Sequence, residues 1–343
     1  LIKAVRGTSS KNHGLENLAK GILRAKKGLQ VNKDGTIRVD GTELPLFYFK
    51  PNEIGSSVEK LRELGYTEDI HGKPLEDGNQ LVESMPHDVL LPSPEDTFDE
   101  RADRVFMKTA EFVDEELEKI YGMEPFYNVK TREDLIGCLG VSMAPHNCAG
   151  VICRIIGFSK VQGIYANPYI HAAIRRDCDG DEAAIMLLGD VLLNFSKEFL
   201  PSHRGGTQDA PLVLNAKIDA GEVDDQILDL EVCWNYPLEL YKAAEQMKHS
   251  SEVEVEFVED LLKKGENAFL NMGYTHDTSD LNGGVLCSAY KKLTTMQEKV
   301  EHQMELAEKL RAVDTSDTAR LIIDRHFIRD MRGNLRKFSQ QEF

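Results

Sequence analysis

The stretch RRDCDGDEAAIMLLGD runs from Arg175 to Asp190. Aspartates stand at 177, 179 and 181, Gly180 divides the last two, Glu182 follows, and two arginines precede them. In an extended segment alternate residues point to one side, so the three carboxylates share a side and repel unless a cation sits among them. Hard oxygen ligands this dense suit Mg²⁺ or Ca²⁺. Gly180 lets the backbone bend tightly or lets a ligand approach. An EF-hand is excluded: counting from Asp177, the glycine falls at position 4 and position 12 is Leu188, whereas that loop needs Gly at 6 and Glu at 12. Helix capping is the plainer reading, because Asp179-x-x-Glu182 before an apolar run resembles a capping box. Capping accounts for one Asp and one Glu and leaves the other acids and both arginines unexplained. Shared acids a few ångströms apart hold the metals of phosphoryl and nucleotidyl transfer, and neighbouring arginines neutralise phosphate charge.

The surrounding chain has 343 residues, 41% hydrophobic and 29% charged. That size implies two or three domains. No run of 18 apolar residues offers a membrane span, and no signal peptide opens the chain. Residue 1 is Leu, so a fragment or processed piece is expected. The six cysteines (138, 148, 153, 178, 233 and 287) form no Cys-x-x-Cys pair. Neither zinc ligation within this chain nor a disulfide framework is therefore expected, and a reducing cytoplasm fits best.

The net charge of −17 argues against a polyanion partner until its distribution is read. Residues 76–119 hold fourteen carboxylates against four Lys/Arg, whereas the first thirty residues hold seven Lys/Arg against one carboxylate. Residues 320–343 hold six Lys/Arg against three carboxylates. Local field governs nucleic-acid binding more than the total does. Acidity of the middle segment also reads as simple solvation.

Residues 15–28 have helical spacing with a basic face. Residues 29–49 alternate and carry Asp34-Gly35 and Asp40-Gly41, which predicts a hairpin or small meander. Residues 56–65 read as a capped helix ending at Gly65. Residues 75–97, acidic and with Pro86, Pro92 and Pro94, read as a linker or surface loop. Residues 98–122 form an amphipathic helix with Val105, Phe106, Ala110, Val113, Leu117 and Ile120 on one side. Strands are predicted over 210–219 and 228–234, and helices over 237–247 and 288–313. The expected organisation is a basic N-terminal α/β segment (1–97), a catalytic region (98–235) and a mainly helical end (236–343), in a mixed α+β fold.

Around the aspartates, "YANPYIHAAIRRDCDGDEAAIMLLGDVLLNFSKEFLPSHRGGTQDAPLVL" resembles the catalytic region of the large subunit of archaeal D-family DNA polymerase (DNA polymerase II). The resemblance continues through "KGILRAKKGLQVNKDGTIRVDGTELP", "IGSSVEKLRELGYTEDIHGKPL", "CLGVSMAPHNCAGVICRIIGF", "MGYTHDTSDL" and "HFIRDMRGNLRKFSQQEF", in order along essentially the whole chain. It implies a replicative polymerase whose core is built from two double-psi β-barrels with flanking helical regions. In that family the Asp-Gly-Asp of the second barrel binds catalytic magnesium, here Asp179 and Asp181, in a two-metal site. The first barrel would lie upstream of Leu1 and a cysteine-rich zinc module beyond Phe343, so the isolated piece is expected to be inactive. Implied partners are primer-template DNA, a deoxynucleoside triphosphate, a small exonuclease subunit and a sliding clamp, with no membrane. The chain departs from the family pattern at three places: Asn is usual where Asp177 stands, Asp where Ala183 stands, and a basic residue where Ile174 stands. An active polymerase is the first reading. An inactivated paralogue with a DNA-binding or assembly role and a metal-dependent phosphodiesterase are the alternatives.

Within that reading Arg175 and Arg176 are phosphate-binding candidates and Asp177 is a third metal ligand. Alternatively, Asp177 turns away to pair with an arginine. His171 either contacts incoming nucleotide or is a hydrogen-bonded structural residue, and His146 reads as structural. Arg204, in Arg204-Gly205-Gly206, is either a phosphate contact or part of a turn. Trp234 reads as core. Lys20, Arg24, Lys26, Lys27, Arg332 and Arg336 are candidate DNA-backbone contacts, against the alternative of solvated surface charge.

Overall fold

AGVICRIIGFS, over Ala149–Ser159, is an apolar run rich in branched residues, the signature of a strand buried on both faces. A computed structural model of the chain places it at the centre of the fold. It describes residues 2–3, 15–95, 101–196, 200, 208–264, 269–273, 280–283 and 293–339. The chain forms two units, Leu1–Leu286 and Cys287–Phe343.

Among the described residues of the first unit there are eleven strands: β1 (Ile2–Lys3), β2 (Leu15–Glu16), β3 (Val39–Pro45), β4 (Tyr48–Phe49), β5 (Val82–Glu83), β6 (Asp88–Pro92), β7 (Leu139–Met143), β8 (Ala149–Ser159), β9 (Gly163–Ala166), β10 (Glu182–Leu187) and β11 (Val213–Asn215). Seven of them make one mixed sheet in the order β11-β8-β6-β9-β3-β10-β7, and β7 also pairs with β8. Six strands thus close a circuit of pairings and β11 stays outside it. The β3/β9, β6/β8 and β8/β11 pairs are parallel; β3/β10, β7/β10, β6/β9 and β7/β8 are antiparallel. The remaining strands make two small ribbons, β1–β2 and β4–β5. The fold is mixed α and β, as the alternation of element types predicts.

The described helices of this unit are α1 (Leu18–Lys27), α2 (Pro51–Ile54), α3 (Val58–Glu63), α4 (Ala102–Glu116), α5 (Pro168–Ala173), α6 (Leu188–Asn194), α7 (Leu238–Glu245) and α8 (Val258–Lys264), of which α2, α4 and α6 pack on strands of the sheet. The predicted stripe of α4 is its buried face: Val105, Phe106, Ala110 and Val113 join the main core, together with Phe112. The helix continues as a wider π turn over Leu117–Tyr121 and stops at Gly122 in the left-handed region. The second unit holds α9 (Met296–Lys309), α10 (Thr315–Leu321), a π turn (Ile322–Phe327) and α11 (Ile328–Ser339). Thr295 and Glu298 cap α9 reciprocally, so this helix is shorter than the predicted 288–313.

Several local readings are corrected. Residues 29–49 are not a hairpin: Asp34-Gly35 does turn the chain, but Asp40-Gly41 lies inside β3, between two long-range partner strands. Gly41 is needed there because a Cβ would sit 3.0 Å from Ile164 Cγ1. Residues 75–97 are not a linker, since they contain β6, buried along its whole length. Its Asp88 is bonded by Arg154 Nε and Nη2 at 2.8 and 2.7 Å and by the Tyr66 hydroxyl at 2.6 Å. A boundary at 97/98 therefore divides a single sheet. Within the predicted strand 210–219 only β11 pairs, and 228–234 holds a 3₁₀ turn and one bridge.

Buried charge ties α1, α4 and α6 together. Asp190 is fully buried. It accepts bonds from Ile37 N–H at 2.7 Å and Asn194 Nδ2 at 2.9 Å. Asn194 Nδ2 also donates to Glu116 at 2.9 Å, and Lys20 Nζ lies 2.6 Å from the same carboxylate. Burial pushes the Asp190 carboxyl up to about 6 against the pull of Arg24. A carboxyl raised in the fold contributes stability below its unfolded value, and that contribution is lost as pH rises through the folded value. Asp190 should therefore lower stability as pH rises from about 4 to about 6, with a slope of at most about 1.4 kcal/mol per pH unit. Asp190→Asn keeps an acceptor for Ile37 and should flatten that slope in urea titrations at stepped pH; an unchanged slope would assign it to other groups. A second prediction concerns β8. A Cβ on Gly157 would lie 2.6 Å from the Ile54 carbonyl oxygen, so Gly157→Ala should cost about 1–3 kcal/mol through overpacking, read from the urea midpoint.

Candidate metal centre

The Asp-Gly-Asp loop is held at both ends. Upstream, Asn167 caps α5 by accepting from Tyr169 N–H, with Pro168 at the first helical position. The helix ends in a Schellman arrangement: Arg175 N–H bonds Ala172 O and Arg176 N–H bonds His171 O, both at 3.0 Å. Arg175 occupies the left-handed position of that motif, at φ 65°, where glycine is usual. Downstream, Glu182 enters β10 opposite Thr42 of β3. Between these anchors residues 177–181 bend rather than extend, with Gly180 at φ 105°. The carboxylates converge through this bend and not through strand alternation.

Asp177, Asp179 and Asp181 are joined by a residue that the local sequence does not reveal, Glu43 of β3. One ligand oxygen from each of the four lies within 4.8 Å of all the others. Asp179 and Asp181 are exposed, Asp177 is half-buried and Glu43 is fully buried. The antiparallel β3–β10 pairing places Glu43 opposite Asp181. Glu43 N–H donates to Asp181 O at 2.9 Å, and Asp181 N–H donates to Glu43 Oε1 at 2.9 Å. Burial pushes the Glu43 carboxyl up to about 7, and the charges of Asp181 and Asp179 act in the same direction.

Of the two arginines, Arg176 lines the cleft beside the cluster and Arg175 pairs with Asp224. Arg176 Nη2 donates to Pro145 O at 3.0 Å and its Nε lies 3.8 Å from Asp181 Oδ2. Arg175 Nη1 lies 4.0 Å from Asp224 Oδ2. These ion pairs leave Asp177 turned into the cluster. A cleft of about 200 Å³ opens beside it, with Pro168, Ala172, Cys178, Ile227 and Leu230 on its walls. Burial pushes the Cys178 thiol up to about 12, so it is no thiolate.

His171 is buried and hydrogen-bonded to the backbone. It is 1% exposed, and its Nε2 donates to Leu44 O at 3.0 Å. Burial lowers it to about 4, so it is neutral. It fixes β3 one residue beyond Glu43. Among the basic candidates Arg24 is buried, donating to Gly35 O at 2.6 Å with its guanidinium 4.6 Å from the Phe112 ring centre. It has no open face for a phosphate. Lys20 and Lys27 are ion-paired to α4, Lys27 at 2.9 Å from both Glu111 and Glu115. Lys26 is exposed on α1, and Arg332 and Arg336 are exposed on α11 of the second unit. Arg204 lies outside the described residues. His146 is exposed beside Asp209. Trp234 is not core: it is half exposed, with its ring centre 5.2 Å from that of Tyr48. Ile174 and Ala183 are both fully buried in the main core.

The sequence profile described as DNA polymerase II large subunit DP2, catalytic domain, matches residues 1–299. The chain is 52% identical over its whole length to the DNA polymerase II large subunit of Archaeoglobus fulgidus, of which it spans 29%. It is 49% identical to the subunit of that name from Pyrococcus furiosus, spanning 27% of it, and 46% identical to that of Nanoarchaeum equitans, spanning 29%. The chain thus covers less than a third of the length of these relatives. No helix among the described residues is long and apolar enough to cross a membrane. A profile match over most of the chain, which includes the residues of the carboxylate cluster, shows that this chain belongs to the family of DNA polymerase II large subunit catalytic domains.

Proposed function

We propose that this chain supplies the carboxylate half of a nucleotidyl-transfer centre in a DNA-directed DNA polymerase of the cytoplasm. The observation that carries the reading is the convergence of Asp177, Asp179 and Asp181 beside a cleft that Arg176 also lines. Asp179 and Asp181 would hold Mg²⁺ in a two-metal arrangement, with Asp177 as a third ligand. The donor set fits that ion, being hard oxygens with two carboxylates open to an incoming phosphate. When bound, the divalent cation lowers the pKa of the primer 3′-hydroxyl and neutralises charge on the triphosphate.

The chain's own residues do the positioning. Arg176, tethered through Pro145, presents guanidinium charge beside Asp181, where the triphosphate of a deoxynucleotide would lie. Arg175, at the exposed end of α5, is placed to meet phosphate or the template backbone. The 3′-oxygen attacks the α-phosphorus, its bond to phosphorus forms, and the bond to pyrophosphate breaks. Lys26, Arg332 and Arg336 are contacts to primer-template phosphates, which need only exposed positive charge. The circuit of six strands, with its parallel pairs β3/β9 and β6/β8, supports a double-psi β-barrel as the scaffold. A small exonuclease subunit and a sliding clamp are the partners this assignment calls for.

Asp179→Asn or Asp181→Asn in the full-length protein should lower primer extension by at least about 100-fold, the scale of losing one preorganised electrostatic group. Both side chains are exposed, so the melting temperature should hold. Near-normal extension by either variant would overturn the assignment. Asp177→Asn should raise the Mg²⁺ concentration for half-maximal incorporation several-fold, because one of three open charges is lost. A superimposable Mg²⁺ titration would place Asp177 outside the metal shell.

A further inference from the structure

We propose that Glu43 is a metal-binding residue whose buried Oε2 completes the Asp177, Asp179 and Asp181 cluster into a cation site that fills before any substrate binds. The inference rests on the cation-binding reading of the aspartates and extends it to a strand residue 138 positions away.

The two oxygens of Glu43 have different surroundings. Oε1 is satisfied by Asp181 N–H at 2.9 Å. Oε2 is buried with no hydrogen-bond partner, on a side chain with no exposure. Buried carboxylate oxygens are paired with donors or bound to metals, so an orphan oxygen on a carboxylate that clusters with three others points to a cation. The spacing agrees. A hard cation takes oxygen ligands at about 2.0–2.6 Å, which sets ligands on opposite sides of it about 4–5 Å apart, and the four oxygens here lie within 4.8 Å of one another.

Arg176 is the rival partner for Oε2, since its Nε is also buried without a hydrogen bond. Its guanidinium is already engaged elsewhere, with Nη2 on Pro145 O at 3.0 Å and Nε near Asp181. A catalytic Mg²⁺ ordinarily takes one or two carboxylates and completes its shell with substrate phosphates. Four carboxylates, one of them rigidly held by strand pairing, form a more complete cage. That cage would retain its cation in the absence of nucleotide.

The test is Mn²⁺ titration of the full-length protein without DNA or nucleotide, read by the electron paramagnetic resonance of free Mn²⁺. Glu43→Gln keeps the acceptor for Asp181 N–H and removes only the charge. It should weaken Mn²⁺ binding about tenfold or more, while its melting temperature in chelator stays level or rises. Glu43→Asp, which keeps the charge but draws it back, should weaken binding to a smaller extent and serves if the Gln variant does not fold. Wild-type Mn²⁺ affinity in folded Glu43→Gln, with affinity lost in Asp179→Asn, would overturn the role of Glu43 and leave the aspartate site standing. Absence of Mn²⁺ binding by the wild-type protein without substrate would overturn a preloaded site.

Discussion

The reciprocal pair of hydrogen bonds between Glu43 and Asp181 is the constraint on which the centre depends. The bond from Glu43 N–H to Asp181 O belongs to the strand ladder, and the bond from Asp181 N–H to Glu43 Oε1 belongs to the site. A slip of one residue between β3 and β10 would turn Glu43 to the other face of the sheet and take its carboxylate from the cluster. Register is secured by neighbours that tolerate no shift: Gly41 beneath Ile164, and Gly163, where a Cβ would lie 2.4 Å from Leu44 Cδ1. The Leu44 carbonyl receives the buried His171. Packing, strand pairing and the placement of charge thus converge on the three residues Thr42, Glu43 and Leu44.

What was legible in the sequence follows the range of the interactions involved. The aspartate loop, the α4 stripe and the capped helix within 56–65 were readable because their causes lie within a few residues. Glu43 was not, because only long-range pairing brings it to the loop. No periodicity marks it, and its neighbours Asp40 and Gly41 imitate a turn. Residues 75–97 misled through composition. Their acids flank β6, while the strand itself, DVLLP, is buried, and its one acid is neutralised by Arg154 and Tyr66. The signal available was that apolar core between two prolines. Trp234 shows the reverse error: a large aromatic beside a strand-like run was read as core and lies half exposed.

Charge distribution needed the same correction. The basic N-terminal helix and the acidic middle segment are not two independent surfaces. Lys20 and Lys27 on α1 meet Glu116, Glu111 and Glu115 on α4, and Arg24 packs on Phe112 of the same helix. Much of the sequence-level asymmetry is thus consumed inside the fold, where exposed pairs contribute about 0–1 kcal/mol each and the buried Glu116 depends on its lysine. Among the described basic candidates, Lys26 on α1 and Arg332 and Arg336 on α11 stay exposed.

The residues at 174, 183 and 177 fit this economy of charge. Ile174 and Ala183 lie in the apolar core, at the end of α5 and in β10 opposite Gly41. A basic residue at 174 or an acid at 183 would need a buried partner, and replacing such a pair by well-packed apolar side chains is often neutral or stabilising. Asp177 places its charge in the cluster instead. The loop carries the ionised groups and the apolar core lies behind it. A bound cation can compensate them there, and Glu43 adds a buried carboxylate to the same cluster.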